Sequence, residues 1–217
     1  MRLLRKAKQL VTGPLEHQYL KCLRAEVVAS CGTLLDVGCG SNSPAGHLTP
    51  DLAWTVGVDA FRPALEESRA KGFHSEYLQL DIRALGQHFA PGSFDCVLAS
   101  DVIEHLHKQE GLALISHMET IARKRVIIYT PNGFLPQGEA YGNPMQRHLS
   151  GWTVDEMLGL GFRVIGIEGL RPLRGEGARP RWRPSWFWRN VSLVTQPLVR
   201  DRPRLAFRLL CVKDVRM

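Results

Sequence analysis

No apolar run in this 217-residue sequence approaches the roughly 18 to 20 residues that a membrane-spanning helix needs, which excludes an integral helical membrane protein. Cysteine is scarce and follows no pairing pattern. Cys22, Cys31, Cys39, Cys96 and Cys211 are odd in number, with no C-x-x-C pair and no metal-type spacing, so a disulfide framework is not expected and a reducing compartment is. The basic start MRLLRKAKQLVTGP lacks the apolar core of a secretory leader, so the expected location is cytoplasmic with the terminus retained. Internal repeats and low-complexity tracts are absent. With 44% apolar and 23% charged residues, the composition is that of a globular chain able to bury a core, and it excludes disordered and collagen-like classes.

Charge is unevenly distributed. The net +7 divides into +5 over residues 1–24, −7 over 25–170 and +9 over 171–217. The acidic middle argues against a nucleic-acid surface spread over the whole chain. The basic ends suit phosphate, an anionic membrane face or an acidic partner, or simply stand solvated.

Hydrophobic periodicity alternates between strand and helix. Glu16 to Ser30 has helical spacing; Thr33–Val37 and Trp54–Val58 are short apolar runs ended by Gly38-Cys39-Gly40 and by Asp59. A proline-started amphipathic helix follows over Pro63–Lys71. Further strands are expected at Ser75–Leu80, Phe94–Ser100, Arg125–Tyr129, Phe162–Gly166 and Arg204–Val212, with helices over Gln109–Ala122 and after the Thr153–Glu156 capping box. This alternation predicts an α/β fold: a Rossmann-like, doubly wound, seven-stranded, mostly parallel sheet with helices on both faces and its site beyond the carboxyl ends of the strands. The expected organisation is a basic arm and helix over residues 1–30, then one domain over 31–217 with a basic aromatic insertion at about 171–201.

The sharpest chemical signal is Asp36-Val-Gly38-Cys-Gly40, followed nineteen residues after Gly40 by Asp59 at the next strand end. Glycines there let backbone approach a ligand, and a carboxylate there accepts hydrogen bonds from both hydroxyls of a ribose. A dinucleotide fingerprint fails, because its last glycine position holds Ser43. D-x-G-x-G, the acid after strand two, Asp81 after strand three and FDCVLASDVIEHL at strand four together resemble a class I S-adenosylmethionine-dependent methyltransferase over roughly residues 30 to 170, of the kind that includes quinone-biosynthesis O-methyltransferases. The resemblance implies S-adenosylmethionine as cofactor. It places Asp36, Gly38, Cys39 and Gly40 along the methionine part, Asp59 with Ala60 at the ribose, Asp81 with Ile82 at the adenine edge, and Ala99, Ser100 and Asp101 beneath the sulfonium. Asn42 stands where the family often has a third glycine. Taken singly, Asp59 or Asp81 also suits a helix N-cap.

A second constellation is Asp101-x-x-Glu104-His105 with His148 and Trp152 later in the chain. Transfer of a methyl group to a hydroxyl is helped by a base of near-neutral pKa, which makes His105 and His148 the candidate catalytic residues; a helix-start or cofactor-amine role competes for His105 and Glu104. This reading assigns no metal and expects a small-molecule or lipid-linked acceptor. An alternative uses Asp101, Glu104, His105 and His148 as ligands of a divalent metal, because E-x-x-E-H with a later H-x-x-x-W-T resembles small-RNA 3′-terminal 2′-O-methyltransferases, with Asp101 in place of their first glutamate. RNA as partner is weakened by the acidic middle. A non-catalytic methyltransferase-like scaffold is a further alternative.

A third feature, Arg171–Arg189, interleaves arginines with Trp182, Trp186, Phe187 and Trp188. Such a mixture suits base stacking, an anionic headgroup boundary with peripheral membrane contact, or a helix packed on the core with its arginines in solvent. Ser185–Val199 is expected to form a short amphipathic helix, and the insertion to cover either the sheet edge or the mouth of the site.

Overall fold

The apolar runs become the strands of one sheet: β1 (Thr33–Val37), β2 (Trp54–Asp59), β3 (Glu76–Gln79), β4 (Phe94–Ser100), β5 (Ala122–Pro131), β6 (Arg163–Leu170) and β7 (Ala206–Asp214). The computed structural model describes residues 18–139, 142–175 and 178–215. Strand order is β3-β2-β1-β4-β5-β7-β6, with β7 antiparallel to both neighbours and every other pair parallel. The order reverses between β1 and β4, so the crevice for a ligand opens at their carboxyl ends.

Alternate residues of the central strands enter opposite cores, as a two-residue side-chain period requires. Val97, Ala99, Val126 and Ile128 join Leu114, Ile115 and Met118 of α4 (Lys108–Ile121) on one face. Cys96, Leu98, Ile127 and Tyr129 join Tyr19, Leu23 and Val27 of α1 (18–27) on the other. The expected basic arm is therefore described only from residue 18, where it is already a helix packed on the sheet. α2 (Arg62–Lys71) starts with proline in its first turn, as the sequence predicts, and rests against β2 and β3. The Thr153–Glu156 capping box is present and starts α5 (Val154–Gly159), while α3 (Leu85–His88) is a single turn. All five cysteines are free thiols.

Three differences from the sequence reading have local causes. The helix expected over Ser185–Val199 is two helices, α6 (Ser185–Val194) and α7 (Gln196–Arg200), because Pro197 falls in the first turn of α7 and cannot donate to the preceding ladder. β6 runs on past Gly166 through a register shift between Ile167 and Leu170, where Glu168 has φ +67°. The insertion covers the sheet edge, not the mouth: a Cβ on Gly166 would lie 2.0 Å from the Val199 carbonyl oxygen, so α7 lies directly on β6.

Candidate active site

The turn after β1 is built by glycine for two separate reasons. A Cβ on Gly38 would meet Val102 Cγ2 at 2.7 Å; Gly40 has open space but φ +56°, a backbone state that side chains disfavour. Beneath the turn Asp36 is buried, accepts from Ser43 Oγ and lies 3.1 Å from His74 Nε2, at an angle that does not make a hydrogen bond. Asp59 accepts from the Gly40 amide (2.8 Å) and the Phe61 amide (2.8 Å), tying the ends of β1 and β2 together. Burial raises its pKa above the ordinary carboxylate value.

Two adjoining cavities of about 280 and 390 Å³ lie over these strand ends and share Gly38, Asp59, Asp101, Asn143 and Gln146. Asp36, Cys39, Gly40 and Ser100 line one of them; Ala60, Asp81, Ile82 and His105 line the other. Ala99 lines neither. Its side chain is fully buried in the core below, because the pleat points it away from the strand's end. Asp81 caps the 3-10 turn Ile82–Ala84 and makes a forked pair with Arg83 (Nε to Oδ1 3.0 Å, Nη2 to Oδ2 2.7 Å), which holds its carboxyl below the usual range. The N-cap role open to it in the sequence is thus occupied.

The second constellation assembles only in part. Asp101 has φ +55° and pairs with Arg208 of β7. Glu104, fully enclosed, accepts from Thr130 Oγ1 (3.0 Å); burial and the nearby Asp101 charge push its pKa up to about 8. His105 and His148 stand with ring centroids 4.9 Å apart. Each places Nδ1 against a backbone carbonyl, His105 at Arg147 O (3.2 Å) and His148 at Leu135 O (2.6 Å). A carbonyl only accepts, so Nδ1 carries the proton and Nε2 keeps a free lone pair on both rings. Burial lowers both imidazole pKa values, which keeps the rings neutral. One donor atom each from Glu104, His105 and His148 lie within 4.8 Å of one another, a grouping that suits a divalent ion. The four-ligand set read from sequence loses Asp101 to Arg208, and His148 lines neither cavity.

Trp152 is a clamp and not a site residue. It is fully buried, and its Nε1 donates to the Ile103 carbonyl (3.3 Å) and Ser150 Oγ (3.2 Å). With Leu149 and Ser150 amides donating to the Glu104 carbonyl (2.8 and 3.1 Å), it fastens the segment carrying His148 to the turn carrying His105.

Residues 35–129 match a family model described as a methyltransferase domain. Over that region the chain is similar to S-adenosylmethionine-dependent methyltransferases. A curated relative, magnesium-protoporphyrin O-methyltransferase of Synechocystis, is 29% identical over 100 residues; the match covers 43% of this chain and 41% of that protein. The solved structure of magnesium protoporphyrin IX methyltransferase from Synechocystis with bound S-adenosylmethionine aligns with TM-score 0.54 at 18% identity, over 93% of this chain and 80% of that one. The methyltransferase domain of bacterial CtHen1 aligns with TM-score 0.61 at 18% identity, over 94% of this chain and all of that one. These structural likenesses establish the fold.

Several residues that support the candidate site from behind escaped the sequence reading. His74 closes the pocket around Asp36 from the segment before β3. Tyr19 of α1 stacks on Tyr129 (3.9 Å) and shares a hydrogen bond with Ser100 Oγ (3.0 Å). Arg208 had a signal: it is a charge inside the apolar run RLAFRLLCV, and a buried charge in a strand requires a partner. Neither Tyr19 nor His74 carries a local signal.

Proposed function

We propose that this methyltransferase domain moves a methyl group from S-adenosylmethionine to an oxygen of a small-molecule or lipid-linked acceptor. The observation that carries the reading is the pair of neutral imidazoles, His105 and His148, each with Nδ1 tied to backbone and Nε2 free, beside a cleft built at the β1–β4 switch point. The cleft fits the cofactor in its chemistry: a side-chain-free turn at Gly38–Gly40 and a carboxylate, Asp59, at the end of β2. Bound S-adenosylmethionine supplies a methyl group activated by a positively charged sulfur. Asp59 holds a diol with the lone pairs its two backbone bonds leave free, and Ile82 gives an apolar wall for a base. His105, on the cleft wall, accepts the acceptor hydroxyl's proton at Nε2, and His148 packs against it and holds its ring in place.

A second reading rests on the Glu104, His105 and His148 grouping, which suits a divalent ion that would hold two neighbouring hydroxyls, as a metal-dependent 2′-O-methyltransferase of RNA requires. The carbonyl bonds that orient both histidines are the outer-shell contacts expected of metal-bound imidazoles. Peripheral contact with an anionic membrane is supported by exposed Trp182, Trp186, Phe187 and Val194 beside arginines.

One set of measurements tests these readings. Calorimetry with S-adenosylhomocysteine is expected to give saturable binding that Asp59→Ala weakens by about tenfold or more. His148→Ala is expected to lower turnover roughly a hundredfold with that affinity unchanged. Absence of cofactor-product binding sinks the whole reading. Activity abolished by a chelator and restored by Mg²⁺ or Mn²⁺ selects the metal-dependent form, and full binding with no turnover on RNA, lipid or small-molecule fractions selects a scaffold.

A further inference from the structure

A third cavity, of about 410 Å³, lies apart from the cleft, between the segment after β5 and the 3-10 turn Arg171–Leu173. Three arginines line it, Arg171, Arg174 and Arg181, together with Phe134 and Phe207, and no acidic side chain is among its described lining residues. Arg174 is the informative one. It is over nine-tenths buried, and only its Nη1 is bonded, to Glu168 Oε2 (3.0 Å) and the Ala178 carbonyl (3.3 Å). Its Nε and Nη2 are buried with no partner among the described residues. Unpaired buried donors of a guanidinium are costly; both atoms are closed to solvent, so a turn of the Arg174 side chain toward the cavity it lines would let one doubly bonding oxyanion satisfy them.

The surrounding charges leave room for such a group. Asp101 balances Arg208, and Glu168 faces Arg174 and Arg208 (3.0 and 3.7 Å). Arg171 and Arg181 have no ion-pair partner among the described residues, so the described lining carries positive charge in excess. Two contacts connect it with the methyl-transfer machinery. Leu135 lines the cavity and its carbonyl orients His148; Arg208, stacked near Phe207, grips Asp101 of the cleft.

From the unpaired Arg174 donors in this tri-arginine cavity, we infer that it binds a phosphate or pyrophosphate group of the acceptor, with Phe134 and Phe207 flanking the adjoining part. The inference rests on the acceptor-methylation reading above and narrows it to phosphorylated acceptors. The same chemistry is offered by a soluble sugar phosphate and by a lipid-linked pyrophosphate.

The test titrates inorganic pyrophosphate into the full chain loaded with S-adenosylhomocysteine. Wild type is expected to bind saturably, and Arg171→Ala with Arg181→Ala to weaken binding by roughly a hundredfold. Arg174→Lys, which keeps the charge and removes the fork, is expected to weaken it about tenfold. Because Arg174 is buried, the two rim arginines carry the test if that variant does not fold. S-adenosylhomocysteine affinity, measured in the same samples, is expected to stay at the wild-type value; its loss in the wild type itself would instead overturn the methyltransferase reading. Flotation with phosphatidylcholine vesicles bearing a polyprenyl pyrophosphate, competed by inorganic pyrophosphate, identifies a lipid source, and saturable titration without flotation identifies a soluble one. No saturable titration by wild type, or equal affinity in the rim double variant, overturns the inference.

Discussion

The β1–β2–β3 half of the sheet and the β5–β7–β6 half handle charge in opposite ways. On the first, acids stand at successive strand ends and are held by nearby backbone: Asp59 by Gly40 and Phe61, Asp81 by Arg83 two residues on. On the second, charges form a chain between residues far apart in sequence, from Asp101 through Arg208 and Glu168 to Arg174. The first half needs only a correct turn to present its ligand-binding groups. The second needs the antiparallel insertion of β7, the β6 register shift and the folding of residues 171–175 before any of its charges finds a partner. The candidate cofactor side is thus built mostly from local structure and the candidate acceptor side from tertiary structure.

The largest effect is expected in the second half, where distant segments are fastened together. Trp152→Ala removes the clamp between the turn after β4 and the segment entering α5, and urea denaturation is expected to show a loss of about 3–5 kcal/mol. A loss below about 1 kcal/mol would mean that the surrounding hydrogen bonds hold these two segments together without it.

Glu104 sharpens the comparison through pH. Its pKa of about 8 in the folded chain lies above the ordinary 4.5, so the folded state holds a proton that the unfolded state releases between those values. This contribution to stability is fully present below about 4.5, is lost as pH rises toward about 8 and is flat above it. Glu104→Gln, the neutral isostere, is expected to be more stable than wild type by roughly 1–3 kcal/mol at the alkaline end in EDTA, and equal to it in acid. A parallel pH dependence in both proteins would show that Glu104 is ionised when folded. Added Mn²⁺ that selectively stabilises the wild type there would favour the metal-dependent reading.

The smallest effect belongs to the exposed face of α6. Trp186→Ser is expected to leave denaturation within about 0.5 kcal/mol of wild type, since its side chain stands largely in solvent. A larger change would show that this face is packed, and would remove the argument for membrane contact.

How far the molecule was legible follows the same division. The seven strands, the glycine turn and the acids at strand ends were readable because each depends on neighbours within a few residues: apolar runs for β1, β2 and β4, Gly38 and Gly40 for the turn, Thr153 and Glu156 for the cap of α5. Ala99 was misplaced because the strand's period decides which of two successive residues faces the cleft, and its burial was not readable from the run FDCVLAS. The metal-type grouping was read one residue too large, because nothing near Asp101 in sequence announces Arg208, 107 residues away.

The amino-acid sequence by itself determined the alternating α/β architecture, the glycine turn after β1 and the histidines available near it, since these rest on short-range sterics and on the periods of strand and helix. Tertiary structure alone decided which charges are neutralised, and which histidine atoms and arginine donors have no partner among the described residues. Those properties depend on burial and on partners brought together by the sheet order, where burial raises the pKa of a carboxylate such as Glu104 and a guanidinium such as Arg174 keeps two donors without a partner among the described residues.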